Sequence, residues 1–321
     1  MYSRGCELCH QGAKMVLFVT GRCHRGCWYC PISADRIGVD TVFANDRRAD
    51  RDKEILREGE TMSALGSSIT GGEPLLVLDR VVRICGMLKE HFGRDHHIHL
   101  YTGMAPGPDT FSALRGLVDE IRLHPPEDHW PSIRESPYLR AVDTARGMGF
   151  AAGFEVPSLP GLERLAPALP HLDFLNINEL EWGEISAGEM RRRGYTPSDA
   201  LHNAVRGAHR WAQRIRKQPK VHWCTSASKD AIQLRERLKR IARNTARPFD
   251  EITEDGTVIY GVVEGAPAVA GRLSPGRFAA VDDRLECSPR ELRRIHRHLP
   301  GKKYIVERYP NGGVVVEVTP L

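Results

Sequence analysis

The sequence predicts an α/β fold: a partial (β/α)6 barrel followed by a small α+β appendage. Short apolar runs alternate with helical stretches over about the first 225 residues, which is typical of parallel βα units. Near the carboxyl end, Asp255-Gly256 and Asn311-Gly312 each lie between two strand-like runs, and such dipeptides favour tight hairpin turns. These observations separate a large α/β part from a smaller region of hairpins.

The predicted parallel strands are short and rich in Val, Ile, Leu and Phe. They lie at residues 15–20, 67–70, 98–102, 120–123, 153–156, 174–178 and 221–224. Six or more such βα units curl into an open or partial barrel. Active sites of βα barrels lie at the carboxyl ends of the strands, so we expect functional residues there.

Helical periodicity is clearest in two of the connecting segments. Residues 78–92 carry apolar side chains at helical spacing, and Gly93 ends the run. Thr196 and Pro197 are typical of a helix start, and an apolar stripe that includes Leu201 continues with a period near 3.6 as far as Ile215. We therefore expect a long helix in each segment.

The same patterns divide the chain into three segments. Residues 1–13 form an N-terminal Cys-x-x-Cys segment, and residues 14–247 form the core barrel with a basic helix. Residues 248–321 form the appendage, in which the Ser-Pro-Arg-Glu run at 288–291 is a capping-box start for a helix between the two hairpins.

Composition and length are those of an ordinary globular protein. The 321 residues suffice for a full core, and the formal charge of +5 permits an anionic partner without requiring one. No apolar run approaches the roughly 20 residues that span a bilayer, and the first residues do not resemble a signal peptide. Eight cysteines in such a chain indicate thiols and metal ligands in a reducing compartment. We therefore expect a cytoplasmic protein without a membrane partner.

The densest group of metal ligands comes directly after the first predicted strand. Cys23, Cys27 and Cys30 are separated by three residues and then by two. Three thiolates can hold three corners of a 4Fe-4S cluster and leave the fourth iron without a protein ligand. A zinc site needs four ligands, and His24 lies too close in sequence to Cys23 to complete one easily. The spacing therefore favours the cluster.

This spacing, with an aromatic residue before the last cysteine, resembles the CxxxCxxC motif of the radical S-adenosylmethionine (SAM) superfamily. A second motif of that family, Gly71-Gly72-Glu73-Pro74, follows the next predicted strand. The resemblance covers residues 14–224. The N-terminal Cys-x-x-Cys, the first strand and the cluster loop together resemble a group of mostly archaeal radical SAM proteins related to pyruvate formate-lyase activating enzymes.

The resemblance implies a 4Fe-4S cluster held by the three cysteines, with SAM chelated to the open iron through its amino and carboxylate groups. It implies that a reductant such as flavodoxin or ferredoxin supplies one electron, which cleaves SAM to methionine and a 5′-deoxyadenosyl radical. The radical then takes hydrogen from a substrate, which could be a protein residue, an RNA base or a cofactor precursor. The sequence does not identify that substrate or any catalytic side chain.

Several residues at predicted strand ends are candidates for binding SAM. The resemblance puts Tyr29 near the adenine and Gly71, Gly72, Glu73 and Pro74 beside the amino group, where glycines let a backbone approach a ligand. Other polar side chains end later strands and could hold the ribose, the carboxylate or the substrate, namely Thr102, Glu155, Asn176 and Asn178. Loop packing, a plain turn, a helix cap or, for Glu155, a contact with Arg122 would account for the same residues.

A second and weaker metal signal joins the two ends of the predicted barrel. Cys6 and Cys9 precede the first strand, and His222 and Cys224 share one face of the last strand. The first and last strands of a nearly closed barrel are neighbours, so these side chains, with His10 as a substitute for His222, could meet. Mixed Cys and His ligands suit zinc, whereas the three cysteines alone suit an auxiliary iron–sulfur cluster. The sequence leaves both open.

The remaining metal-binding residue types have ordinary interpretations. His97 and His99 alternate with apolar residues along a strand, and we expect them, with His91 and His96, to be structural or solvated. Cys85 lies on an apolar helix stripe and is expected in the core.

A basic helix supports the alternative to an enzyme. Residues 229–247 hold seven basic and two acidic side chains, which can bind RNA phosphates or form a solvated face. The alternative is a non-catalytic zinc- and nucleic-acid-binding module. Metal content separates the two hypotheses, because the enzyme needs iron and the module needs zinc.

Overall fold

The computed structural model describes residues 3–265 and 276–321, and the chain divides into two compact units. The first unit comprises residues up to 60 together with 64–232, and the second comprises 61–63 and 233–321. The first unit holds a mostly parallel sheet, and the second holds an antiparallel sheet.

Within the described residues of the first unit, nine strands form one open sheet. They are β1 (Lys14–Phe18), β2 (Phe43–Ala44), β3 (Arg47–Arg48), β4 (Gly66–Thr70), β5 (His97–Thr102), β6 (Glu120–Leu123), β7 (Ala151–Pro157), β8 (Leu175–Asn178) and β9 (Val221–Cys224). Their order is β3-β2-β1-β4-β5-β6-β7-β8-β9. From β1 to β9 neighbours are parallel, and β2 and β3 add an antiparallel edge. The open path agrees with the predicted partial barrel.

The seven predicted parallel strands are confirmed, each to within two residues. All of them except β9 are mostly buried, as in β6, where all four residues are buried although two of them are charged. Parallel strands are covered on both faces, so their sequences form apolar runs and not a simple alternation. This is why short apolar runs located them.

Helices and helical turns connect the strands. They are α1 (Arg4–His10), α2 (Asp52–Thr61), α3 (Leu78–Phe92), α4 (Pro108–Leu114), α5 (Pro137–Gly147), α6 (Ala187–Arg192), α7 (Ala208–Gln213), α8 (Ser226–Ser228), the 3₁₀ segments Pro74–Val77, Glu127–Glu135 and Leu162–Ala168, and the π-helix Lys229–Leu234. The predicted helix at 78–92 is confirmed as α3, which buries Cys85 as expected. In the parts of the chain that are described, no helix is long and apolar enough to cross a membrane.

The long helix predicted at 196–215 is wrong over its first half. The Asp199 carboxylate accepts hydrogen bonds from the backbone N–H groups two and three residues further on, which closes a turn in place of a helix. Leu201, expected in the buried stripe, is 87% exposed. Only α7 remains of the prediction, and Gly207, with a left-handed φ of 100°, begins it.

The N-terminal Cys-x-x-Cys segment folds as α1 against the amino ends of the strands. Ser3 Oγ accepts from Cys6 N at 3.3 Å and donates to Glu120 Oε1 at 3.0 Å, and Gly5 N donates to Glu120 Oε2 at 3.1 Å. A Cβ on Gly5 would lie 2.4 Å from Arg122 Nη2, so glycine allows the close approach. Since Glu120 begins β6, α1 lies at the edge of the sheet opposite the loop that carries Cys23, Cys27 and Cys30 (the cluster loop, or cysteine loop).

The second unit contains an antiparallel sheet with the order β12-β13-β11-β14-β15 and with β10 paired to β11. Its elements are α9 (Arg235–Thr245), β10 (Glu251–Ile252), β11 (Val258–Glu264), β12 (Phe278–Val281), β13 (Arg284–Cys287), α10 (Pro289–Ile295), the 3₁₀ turn His296–His298, β14 (Lys303–Arg308) and β15 (Val315–Pro320). Both predicted hairpins and the helix between them are present. The β12–β13 hairpin was missed because its turn contains no glycine, and Asp282 adopts the left-handed φ of 54°.

His96, directly before β5, makes the stability of the first unit depend on pH. Its side chain is 3% exposed, and Nε2 lies 2.9 Å from Ser67 Oγ. Burial, reinforced by Lys14 and Lys89, lowers the pKa of His96 to about 4 from 6.5. Between these values the unfolded chain binds a proton that the folded chain does not, so stability decreases as the pH falls.

We expect the His96→Gln variant to lose part of this pH dependence. Between about pH 6.5 and 4, its unfolding free energy should change less steeply than that of the wild type, by about 1.4 kcal/mol per pH unit. Denaturant titrations at a series of pH values measure the slope. His91→Gln, on the exposed face of α3, is the control, and a His96→Gln slope equal to the wild-type slope would refute the assignment.

Candidate functional site

The loop after β1 carries the three motif cysteines at the carboxyl edge of the sheet. Cys23 is exposed, and Cys27 and Cys30 are partly buried. The backbone turns between the last two, where Cys30 N donates to Cys27 O at 3.1 Å. Burial raises the pKa of the Cys27 and Cys30 thiols, so both are neutral near pH 7 until a metal replaces their protons. All three cysteines line one cavity of about 320 Å³.

Backbone groups join the segment after β4 to this cysteine loop. Gly72 N donates to Thr20 O at 2.7 Å, and Glu73 N donates to Arg22 O at 2.8 Å. A Cβ on Gly71 would lie 2.5 Å from Thr20 O, and one on Gly72 would lie 2.4 Å from Arg22 O. The two glycines are therefore needed for contact between the loops, a reason that the sequence did not reveal.

Glu73 fastens the same segment to the end of β5. Its side chain is fully buried: Oε1 accepts from Thr102 Oγ1 at 2.7 Å and from Leu75 N at 3.0 Å, and Oε2 accepts from Gly103 N at 2.7 Å. Glu73 and Thr102 both line the cysteine-lined cavity, as does Pro74, which begins the following 3₁₀ turn. The Glu73 carboxylate and the Thr102 hydroxyl are hydrogen-bonded to each other, and both form part of the cavity wall.

Arg25 and His124, which the sequence analysis missed, anchor the cysteine loop. Arg25 Nη1 donates to Gly103 O at 2.8 Å and to His124 O at 2.9 Å. His124 Nδ1 lies 3.0 Å from Glu155 O, which assigns the ring proton to Nδ1, so the Tyr29 hydroxyl donates to Nε2 at 2.9 Å. Burial lowers the pKa of His124 to about 4, which keeps the ring neutral. The only sequence signal for His124 was that a polar residue follows β6 directly.

Glu155 is the centre of a polar network inside the sheet. Its Oε1 accepts from the Tyr101 hydroxyl at 2.6 Å and from Asn178 Nδ2 at 2.7 Å, and its Oε2 accepts from Arg122 Nη1 at 2.6 Å and from Asn176 Nδ2 at 3.1 Å. Burial alone would raise the pKa of Glu155, but Arg122 and these hydrogen bonds lower it. The contact with Arg122, one of the alternatives for Glu155, is present, and Glu155, Asn176 and Asn178 come together.

A second cavity of about 250 Å³ adjoins the first, because Tyr29, Tyr101 and His124 line both. At its rim Lys229 Nζ donates to Glu181 Oε1 at 2.8 Å. Burial would lower the pKa of Lys229, but Glu181 raises it, so the amine is charged. The carboxyl edge therefore offers a cysteine-lined cavity and a smaller one that share lining residues.

The residues of the predicted second metal site lie on α1 and β9. Cys6 Sγ is 3.5 Å from Arg122 Nη2 at the amino ends of the strands, whereas Cys224 ends β9 at the carboxyl edge. Burial raises the pKa of Cys6 and raises that of Cys9 to about 12. Nowhere in the described ranges do three His, Cys, Asp or Glu side chains converge as metal ligands, and the cluster cysteines are no exception. The second site, with His222, stays a prediction.

Comparison with known proteins identifies the family. Residues 17–161 match a family model described as the radical SAM superfamily, and residues 256–321 match a domain of unknown function, DUF8061. A protein of Methanocaldococcus jannaschii, provisionally named a glycyl-radical enzyme activating enzyme, is 34% identical over 99% of this chain and 92% of its own length. This chain belongs to the radical SAM superfamily. It is therefore an enzyme, which sets aside the zinc- and nucleic-acid-binding module.

Solved structures give a more distant likeness. SuiB of Streptococcus suis bound to SAM is 14% identical, with a TM-score of 0.42 over 66% of this chain and 50% of SuiB. SuiB bound to its precursor peptide SuiA is 12% identical, with a TM-score of 0.42 over 68% of this chain and 51% of SuiB. The chain spans about half the length of SuiB, and a likeness of this size carries no argument about activity.

Membership of the superfamily implies a 4Fe-4S cluster and SAM, and the site fits both. Three thiols on one loop line a single cavity, which matches a cluster with one iron open to a small molecule. Tyr29 and the Gly-Gly-Glu segment line the same cavity, so the groups that the resemblance associates with SAM surround the space beside the cysteines.

Gly72→Ala is expected to reduce the iron held by the protein. The new Cβ would meet Arg22 O at 2.4 Å and displace the cysteine loop, whereas a Cβ on Gly86 in α3 meets no described atom within 4 Å. Gly86→Ala is therefore the matched control, and it should stabilise α3 by about 0.5–1 kcal/mol. Iron and acid-labile sulfide per chain after anaerobic reconstitution measure the effect, and equal contents in both variants would contradict it.

Proposed function

We propose that this radical SAM enzyme cleaves SAM reductively to a 5′-deoxyadenosyl radical, which takes a hydrogen atom from a substrate at the carboxyl edge of the sheet. One observation carries the proposal: the cysteine loop and the Gly-Gly-Glu segment are bonded to each other around one cavity. When bound, the cluster and SAM supply the electron transfer and the radical precursor. The chain supplies orientation, exclusion of water and the binding of the substrate.

Orientation comes from bonds between loops and strand ends. Arg25 ties the cysteine loop to the residues that follow β5 and β6, and Glu73 ties the neighbouring segment to β5. Both sets of bonds resist movement of Cys27 relative to the cavity wall. We propose that SAM lies along this wall between Tyr29 and the backbone of Gly71 and Gly72, with Pro74 holding the turn.

The smaller cavity is the proposed entry for the substrate. Glu155 and Asn178 line it, and Asn176 supports Glu155 from the next strand. Tyr29 and His124 line both cavities, so a substrate in the smaller one would lie beside the cysteine-lined cavity. Tyr101 and Lys229 add hydrogen-bonding groups to a lining that is otherwise largely apolar, which suits a substrate with both polar and apolar parts.

The class of substrate and the partners are also part of this proposal. The provisional name of the M. jannaschii relative makes a glycine of another protein one candidate, beside an RNA base and a cofactor precursor. Flavodoxin or ferredoxin is the expected reductant. RNA binding through α9 has less support, because part of its positive charge is paired locally, as in Lys239 with Glu236.

Production of 5′-deoxyadenosine tests the proposal. Protein reconstituted anaerobically with iron and sulfide, reduced with dithionite and given SAM should release it, and chromatography measures the product. Cys27→Ala removes one cluster ligand and should abolish the reaction. Cys85→Ala removes a buried thiol of α3, remote in sequence from the cluster loop, and should retain cleavage.

Two results would overturn the proposal. Equal product from Cys27→Ala and Cys85→Ala would show that the cluster loop is not the source of the reaction. A wild-type protein that holds a reducible cluster and binds SAM, yet makes no product with peptide, RNA or small-molecule candidates, would contradict the radical step.

A further inference from the structure

Several hydrogen-bond donors in the lining of the smaller cavity are used within the protein. The Tyr101 hydroxyl donates to Glu155 Oε1 at 2.6 Å, and the Tyr29 hydroxyl donates to His124 Nε2 at 2.9 Å. His124 in turn directs its Nδ1 proton to Glu155 O at 3.0 Å. All four side chains line the cavity. Because each phenol and the neutral imidazole carry a single polar proton, these groups have none left for a ligand.

Acceptors, in contrast, remain available in the same lining. Glu179 accepts from Ser226 N through Oε2 at 2.9 Å, and Glu181 accepts from Lys229 Nζ through Oε1 at 2.8 Å. The second oxygen of each carboxylate has no hydrogen-bond partner among the described residues, and neither oxygen is enclosed. Asn178 donates through Nδ2 into the buried network, which leaves its Oδ1 as a further acceptor. A ligand here therefore has to supply hydrogen-bond donors.

The formal charges around the cavity have a negative excess. Three carboxylates line it, and two cations are paired with them: Arg122 with Glu155, and Lys229 with Glu181. Glu179 is the third carboxylate, and it has no cationic partner in the part of the chain that the structure describes. Much of the remaining lining is apolar, which strengthens the attraction between a carboxylate and a cation. The cavity therefore favours a ligand with one positive charge.

From this imbalance we propose that the smaller cavity binds a cationic amine of the substrate, with Glu179 as its main partner. This inference rests on the proposed function, in which this cavity admits the substrate, and it names the class of substrate. A protonated amine brings donors for the free acceptors and a positive charge for the unpaired carboxylate. The apolar part of the lining accommodates the carbon skeleton beside it. The recognised group is a primary ammonium on an apolar stem, either a free amine or the side chain of a lysine.

The backbone after β8 holds Glu179 ready for this contact. Glu179 N donates to Cys224 O at 2.8 Å, and the bond from Ser226 N fixes one oxygen of the side chain. A carboxylate that is already held in place loses little conformational freedom when a ligand binds. Lys229, which holds Glu181, begins a π-helix, a rare conformation that is frequent at functional sites.

Binding of matched small probes tests the proposal. The anaerobically reconstituted full chain, with SAM present, is titrated with benzylamine, with the neutral isostere benzyl alcohol and with the anion phenylacetate. Ligand-observed nuclear magnetic resonance measures each dissociation constant. Benzylamine should bind about tenfold more tightly than benzyl alcohol, and phenylacetate should bind more weakly still. An N-acetylated, C-amidated lysine separates the two sources of the ammonium, since its binding assigns a lysine side chain and its exclusion assigns a free amine.

Charge-changing variants should shift the affinity for benzylamine in opposite directions. Glu179→Gln keeps the shape of the side chain but removes its charge, so it should weaken benzylamine binding about tenfold and leave benzyl alcohol unchanged. Lys229→Gln removes a positive charge from the rim and should tighten benzylamine binding. Glu90→Gln, on the exposed face of α3, is the matched control and should change neither affinity. Circular dichroism establishes that each variant is folded.

Four results would overturn the proposal. They are benzylamine that binds no more tightly than benzyl alcohol, undiminished benzylamine affinity in the Glu179→Gln protein, phenylacetate binding that Lys229→Gln abolishes, and displacement of bound SAM by benzylamine. The last would show that the cavity holds part of SAM and not the substrate. None of these measurements depends on cleavage of SAM, so a failure here is distinct from the absence of 5′-deoxyadenosine, which tests the proposed function.

Discussion

The first unit depends on one buried guanidinium. Arg122, 2% exposed, donates to Glu120 within β6, to Glu155 of β7 and to the Tyr101 hydroxyl of β5. Its Nη2 also donates to Ser3 Oγ, at the N-cap of α1, at 3.1 Å. One cation therefore joins three strands and the N-terminal helix. A buried ion pair gains little net stability over apolar packing, but removal of one partner leaves an unpaired charge, so this network defines one arrangement of the interior.

That network makes the two edges of the sheet different. At the amino ends α1 packs against Glu120, so that edge is covered from within the chain. At the carboxyl edge the strands end in loops that bond to one another through Arg25, Glu73 and His124, and they leave cavities between them. The motif residues are concentrated at this second edge, where the loops leave space for a small molecule.

The sequence predicted the parts of the fold that depend on local patterns. Apolar runs located seven strands, and a stripe ending at Gly93 located α3, because burial on both faces leaves a continuous apolar run and burial on one face of a helix leaves a periodic one. The helix prediction around Asp199 was wrong. A carboxylate that accepts hydrogen bonds from nearby backbone N–H groups competes with a helix without changing the apolar period of the sequence. The turn at Asp282 was not predicted, because a left-handed residue other than glycine has no sequence signature as clear as Asn-Gly.

The site shows the same limit at longer range. The cysteines and the glycines were recognisable, but Arg25 bonds to the carbonyl of a residue 99 positions away, and no local pattern predicts such a bond. The contact between the cysteine loop and the Gly-Gly-Glu segment shows why such contacts are hard to predict. Gly71 and Gly72 pack against carbonyl oxygens of residues 20–22, and every residue type has a carbonyl oxygen, whereas a Cβ at either glycine would collide. One side of the contact therefore constrains its residue type and the other side does not, so a sequence shows that the glycines are special without showing what they touch.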